Sequence, residues 1–153
     1  VARNAVSLGW HGNAILVRKG MKIGKVTHID LPGLEPRGAV RVDLPAFSFV
    51  AAHLGLIRRH RVRQLHAIAK ACDGADRVIV AGDFNEWSPR KGLEALGNFA
   101  VHAPGHSFHA ARPVAALDRI AMSKGLEMRD AGVVQEGPAR HASDHLPIWA
   151  DVV

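Results

Sequence analysis

Val78-Ile79-Val80-Ala81 is an unbroken apolar run that leads straight into Gly82-Asp83-Phe84-Asn85. A strand without polar alternation cannot keep one face in water, so this segment predicts a central strand, over Arg77–Gly82, covered on both sides. A covered sheet needs other elements above and below it. The rest of the chain must therefore supply layers, and the polar residues that follow the run must sit where a buried strand comes to the surface.

The flanking sequence supplies mostly strands. Gly12–Val17 is a short apolar run opened by a turn dipeptide, and Lys22–Leu31 alternates loosely through Ile23, Val26 and Ile29. Turn residues at Pro32-Gly33 and Pro36-Arg37-Gly38 precede Ala39–Leu44, which alternates with a period of two, and Phe47–Ala52 follows Pro45. These runs predict an antiparallel meander. From Leu56 to Cys72 the period changes, because Val62, Leu65, Ala69 and Cys72 recur at three or four residues, with Gly74 as a stop. This predicts one amphipathic helix whose outer face carries Arg58, Arg59, Arg61, Arg63 and Lys70. That face either tracks phosphates or is simply solvated. Ser88-Pro89 is an N-cap and first-turn signal for a short helix through Leu96, and residues 98–113 read as a loop. Val114–Met122, Leu126–Gln135 and Leu146–Val153 complete the strands. The sum is an α/β chain rich in antiparallel strands with two helices.

At 153 residues the chain can bury one core, so residues 1–153 read as one domain. Twenty Lys and Arg against fourteen Asp and Glu give a formal charge of +6, which attracts polyanions or merely aids solubility. The single cysteine, Cys72, excludes an internal disulfide and a cysteine-rich zinc site. No run approaches a membrane span and no signal-peptide pattern opens the chain, so the expectation is a soluble protein without stable membrane insertion, with a cytoplasmic location favoured. The first residue is Val rather than Met, as processing, tag removal or a partial gene would leave it.

The polar residues at the strand ends could carry chemistry. If the chain stays extended, Asp83 and Asn85 point the same way and offer a carboxylate and an amide oxygen to a hard cation or a held water. The alternative is a turn in which Gly, Asp and Asn serve backbone conformation only. Asp144 and His145 are adjacent in Ser143-Asp144-His145-Leu146-Pro147, so only an irregular backbone brings both to one site. Asp118 is an acid inside an apolar strand, either paired with His145, whose tautomer it would fix, or facing water from an edge strand. His53, at the end of Phe47–Ala52, either bonds a phosphate oxygen or is a structural imidazole.

Taken in chain order, Gly12-Asn13-Ala14-Ile15-Leu16, Glu35-Pro36-Arg37-Gly38-Ala39, Ala52-His53-Leu54-Gly55, Gly82-Asp83-Phe84-Asn85, Leu117-Asp118-Arg119-Ile120 and Ser143-Asp144-His145-Leu146-Pro147 resemble the endonuclease/exonuclease/phosphatase superfamily. The likeness runs from about residue 9 to the end, and the Gly82 tetrapeptide and the Ser-Asp-His ending are its most specific parts. The Gly-Asn-Ala and Glu-Pro-Arg-Gly pieces look like a subgroup of small bacterial phosphodiesterases and phosphatases.

The resemblance implies a DNase I-like layered α/β sandwich of mainly antiparallel sheets with flanking helices. It implies a hydrolase that directs water at a phosphate ester, a DNase-like phosphodiesterase or a phosphatase. In that reading His53, Asp83, Asn85, Asp118 and His145 are catalytic, and Asp83, Asn85, Asp144 and His145 hold a divalent cation, magnesium by default with manganese or calcium as alternatives. Asn13, Arg37, Arg58 and Arg59 bind phosphate or nucleic acid, and DNA is one candidate substrate. Two other readings stay open: an inactive phosphate- or nucleic-acid-binding remnant, and a phospholipid head-group phosphodiesterase. Members of the superfamily also carry, ahead of the Gly-Asn-Ala segment, an Asn-bearing strand, a helix and a strand with a metal-ligating Glu. This chain has no counterpart to them, so the resemblance implies a truncated domain with a weakened metal site, an unbraced His53 and uncovered apolar sheet. Such surface predicts a homodimer or higher assembly.

Overall fold

The computed structural model describes residues 10–89 and 91–153; Val1, and the point near residue 9 where the resemblance begins, lie outside them. Six strands form the main sheet in the order β1-β2-β3-β4-β6-β5, with β1 Val26–Leu31, β2 Arg37–Asp43, β3 Ser48–His53, β4 Val78–Asp83, β5 Ala100–His102 and β6 Asp118–Met122. The strands β1 to β3 are the expected meander, each antiparallel to the next. β3 and β4 are parallel, so the chain must cross back over the sheet between them, and α1 (Arg58–Ala71) is that crossover. A second sheet pairs β7 (Met128–Val133) with β8 (Ile148–Val152).

β4 lies between β3 and β6, as its continuous apolar run requires. On one face Val78, Val80 and Phe84 pack with Leu65, Ile68 and Cys72 of the helix side, and with Leu96. On the other, Ile79 joins Ile120 and Met122 beneath Met128, Ile148, Ala150 and Val152 of the second sheet. The result is a layer of helix, a six-stranded sheet and a two-stranded sheet. No helix of the described residues is long and apolar enough to cross a membrane.

Several boundaries differ from expectation. Gly12–Val17 is not a strand: His11 and Gly12 both have positive φ, and a tight turn closes through the Trp10–Asn13 bridge. The strand expected from Lys22 begins at Val26, opposite Val42, because its partner β2 ends at Asp43. The helix expected after Ser88-Pro89 shrinks to one 3-10 turn, Glu94–Leu96. There Glu86 takes the Ser88 N–H, Ser88 takes the Lys91 N–H, and Gly92 adopts φ 88°, so the chain turns before a helix can start. The expected loop 98–113 contains β5, which is three residues long and so shows no alternation. The strand expected from Val114 starts at Asp118, since Val114 and Ala115 bond Phe108 instead. A short helix, α2 (Ala139–Ala142), is too brief to leave a periodic signal. Arg61 is the clearest reversal on α1: expected on the outer face, it is buried.

Candidate active site

Three of the candidate residues form a row across the sheet. His53 ends β3, Asp83 ends β4 and Asp118 opens β6; His53 is the register partner of Asp83, and Asp83 of Asp118. The fourth, His145, enters from the irregular segment before β8, where it bridges to Phe108.

The Gly82 tetrapeptide makes sense residue by residue. Gly82 has φ 140° and lies against its register partner Ala52, whose carbonyl a Cβ would strike. Asp83 turns to the site, while Phe84 is fully buried in the core. Asn85 adopts φ 51°, a conformation that Asn tolerates better than most residues. Its amide nitrogen donates to the Leu54 carbonyl at 2.9 Å, and its backbone N–H to Asp83 Oδ1 at 2.8 Å. Of the two geometries open in the sequence, an extended chain or a turn, the structure takes the turn. Asp83 and Asn85 still reach one place, because the turn folds Asn85 back beside the loop that follows His53.

Asp83 Oδ2 is the centre of the cluster, 3.4 Å from His53 Nε2 and 3.7 Å from His145 Nε2. His145 Nδ1 meets Asp118 Oδ2 at 2.7 Å, and the buried Ser107 hydroxyl donates to that same oxygen. Asp118 thus braces the ring and is itself braced. Burial pushes the Asp83 carboxyl above its ordinary value and the nearby Asp118 charge adds to this, against the Asn85 N–H and the two imidazoles. Burial pulls His145 down, but the Asp118 hydrogen bond and the charges of Asp118, Asp83 and Asp144 outweigh it and raise the pKa. His53 is lowered, by burial first and by the Arg37 charge second. Its ring makes no hydrogen bond among the described residues.

Asp83, Asp118 and His145 each offer a ligand atom within 4.8 Å of the others. Two carboxylates and an imidazole crowded together, one of the acids raised by burial, suit a hard divalent cation. Of the expected ligands, Asp144 is exposed at the cleft mouth, close enough to influence His145, while Asn85 lines the same cleft. Among the expected phosphate-binding residues, Arg37 sits near His53 but is paired with Glu35 at 2.9 Å. Asn13 is buried and its amide nitrogen donates to the Gly38, Trp10 and His11 carbonyls, which fastens the turn to β2. Arg59 is exposed, and Arg58 lies 3.7 Å from Glu94.

The loop after His53 is held by residues that sequence reasoning missed. Gln64 accepts the Gly55 N–H, Glu35 accepts the Leu56 N–H, and Arg61 donates to the Gly55 and Leu56 carbonyls. Arg61 also pairs with buried Glu86 at 2.8 Å, and Arg119 donates to the Glu86 carbonyl. A charged residue inside a helix pattern gives no sign in sequence that its partner lies directly after the Gly82 tetrapeptide.

Residues 3–145 match the Endonuclease/Exonuclease/phosphatase family. The chain belongs to that family. Its curated relatives include the uncharacterized protein YbhP of Escherichia coli, 32% identical over 168 aligned positions that cover 98% of this chain and 66% of YbhP. The chain thus spans about two thirds of that relative's length. Among solved structures, the mannosyl-6-phosphatase Bt3783 of Bacteroides thetaiotaomicron superposes with a TM-score of 0.71 at 18% identity, over 87% of this chain and 67% of the other. The 3′ phosphatase NExo from Neisseria, bound to product DNA hairpin, superposes with a TM-score of 0.66 at 12% identity, over 86% of this chain and 71% of the other. The fold is the DNase I-like fold of this family, whose members are generally phosphatases and nucleases.

Proposed function

We propose that this protein hydrolyses phosphate esters, as a phosphatase or a DNase-like phosphodiesterase, by directing water at phosphorus. The observation that carries the reading is one carboxylate, Asp83, flanked by two imidazoles, one of which is fixed by Asp118 and Ser107. Asp83 would orient the water and take its proton, since a raised pKa makes it the stronger base. Asn85 would hold the phosphate or the attacking oxygen. His145, positioned and kept charged by Asp118, would bind phosphoryl oxygens or hand a proton to the leaving alcohol, and His53 would face the charge that grows on the phosphoryl group. Arg37 would add to that positive field, with Arg58 and Arg59 along a longer substrate, DNA included. Asn13 enters only as the holder of the turn beside Gly38.

The donor set fits a divalent cation, magnesium first and manganese or calcium next: Asp83, Asp118 and His145 lie within ligand reach of one another, and Asn85 and Asp144 line the same cleft. His145 would hold the cation through an unprotonated Nε2 or serve as the proton donor, not both at once. Such a cation, when bound, supplies Lewis-acid withdrawal of charge from the phosphate. Among the described residues, β1 and the β7–β8 pair have an edge without a strand partner, which supports association into a homodimer or higher assembly. Light scattering at micromolar concentration tests it, and a monodisperse monomer counts against it.

The deciding experiment incubates supercoiled plasmid and an aryl phosphate with magnesium, manganese, calcium or chelator, beside His145→Ala. Metal-dependent turnover that falls by about 10²–10³ in the variant is expected. Turnover no higher than that of the variant would overturn the reading.

A further inference from the structure

Beside the imidazoles lies a cleft of about 340 Å³ whose other wall offers no charged group and no acceptor side chain, its one polar handle being the Trp87 indole N–H. Its polar lining is His53, Asn85, Asp144 and His145, every one of them already assigned to the phosphate or the cation. The remainder is Leu56, Trp87, Phe108 and Leu117. Leu56 is 67% exposed and Trp87 64%, and with Phe108 they put accessible apolar surface directly beside the two imidazoles.

This wall is built rather than incidental. The Phe108 ring lies 4.9 Å from the His145 ring and 6.3 Å from Trp87, nearly perpendicular to the latter. The backbone of Phe108 is tied to Val114 and Ala115. Leu56 stands three residues after His53 and Trp87 two after Asn85, and the buried Arg61–Glu86 pair fixes both loops at once, through the Leu56 carbonyl on one side and through the neighbour of Trp87 on the other. Rings held in advance lose little freedom when a ligand arrives.

We infer that the cleft selects phosphate esters whose alcohol bears a planar aromatic ring, which stacks flat on Trp87 and turns its edge to the nearly perpendicular Phe108, with Leu56 alongside. This rests on the phosphate-ester reading above. A ring satisfies the wall because its faces need no hydrogen-bond partner, whereas the several hydroxyls of a sugar phosphate would find a single donor there, the Trp87 indole N–H, and no acceptor among Leu56, Trp87, Phe108 and Leu117. The phosphate end of such a ligand meets His145, and its ring meets Phe108 next door.

The test is equilibrium binding by calorimetry with magnesium present, followed by phosphate release, for phenyl phosphate, a nucleoside 5′-monophosphate, a hexose 6-phosphate and methyl phosphate. The two ring-bearing ligands are expected to bind about tenfold more tightly than the other two, and Trp87→Ala to erase that advantage while Trp87→Phe restores most of it. Stronger binding of the nucleotide than of phenyl phosphate assigns the ring to a base, and the reverse assigns it to an aryl ester; either supports the inference. Equal binding of all four, or a ring preference indifferent to Trp87→Ala, overturns it. Ring-selective binding without phosphate release from any ester would sustain the inference and overturn the hydrolase reading instead. Trp87 is exposed and touches only Phe108 among the aromatic rings, so its removal is expected to leave the fold intact, and an unchanged circular dichroism spectrum of Trp87→Ala is the control for this.

Discussion

The two ends of the main sheet carry similar groups wired in opposite ways. At the end where β2 finishes and β3 begins, Asp43 accepts hydrogen bonds from Ser48 Oγ and Arg41 Nε, both at 2.7 Å, and Arg41 also donates to the Ala71 carbonyl at the end of α1. The Ser48 hydrogen bond, with Arg41 beside it, holds the Asp43 carboxyl below its ordinary value against the effect of burial. At the other end, roughly 17 Å away at ~3.3 Å per residue, Asp83 receives one backbone N–H and shares its space with a second carboxylate. Its pKa is raised. A satisfied network supports the fold, while a crowded one costs stability and is expected where charge must be moved.

Asp83→Asn probes the contrast most directly. Activity should fall by about 10³-fold, because the base is lost. The metal-free variant should nonetheless melt at a higher temperature than the wild type near neutral pH. The folded Asp83 pKa lies above its ordinary 3.8, so the folded form holds the proton longer, and stability drops as pH rises through that window. The gap between the two proteins should therefore open with rising pH and vanish below 3.8. A variant less stable than wild type at pH 7 in calorimetry would break the comparison.

Next in size is Asp118→Asn, which removes the charge but keeps the shape. Loss of a brace of this kind typically costs about 10–100-fold. In the metal-free protein the His145 ring should then titrate at a lower pH, since both of its Asp118 interactions raise it, while His53 moves far less. Ring proton shifts followed by NMR would show this, and an unmoved His145 would remove Asp118 as its positioning group.

The smallest effect belongs to the satisfied end. Asp43→Asn should cost about 1 kcal/mol at pH 7 with activity retained. Because the folded Asp43 pKa is depressed, its contribution is complete above 3.8 and is lost as pH falls through the folded value, so the two denaturation midpoints should converge in acid. Convergence toward alkaline pH instead would show that Arg41 and Ser48 do not act through the carboxylate.

What could be read from the sequence was whatever depended on local pattern. The period-two run of β2, the apolar β4 and the three-four spacing of α1 each formed the expected element, because burial on one or two faces leaves a direct trace in the residues. The gathering of His53, Asp83, Asn85, Asp118, Asp144 and His145 followed from motifs and not from periodicity. Lost were features fixed by distant partners. Arg61 looks solvated until Glu86 is placed beside it, and Ser107 sits in an aperiodic stretch with nothing to connect it to Asp118. The sequence leaves open whether Asn85 continues an extended chain or turns, because what decides it, the bond to the Leu54 carbonyl, lies 31 positions away. The apolar wall of Trp87 and Phe108 brings together two loops with no regular pattern in either.

His53, Asp83 and Asp118 being neighbours across strands has a consequence for how such a protein can vary. The separation of these groups is set by the hydrogen-bonded lattice of the sheet and not by the lengths of chain between them. Insertions in the connections leave the row where it is, so the residues around the cleft are free to change and with them the alcohol that is accepted. A single residue deleted inside β4 does the opposite: it would turn Asp83 to the far face and bring a side chain against Ala52 where only Gly82 fits.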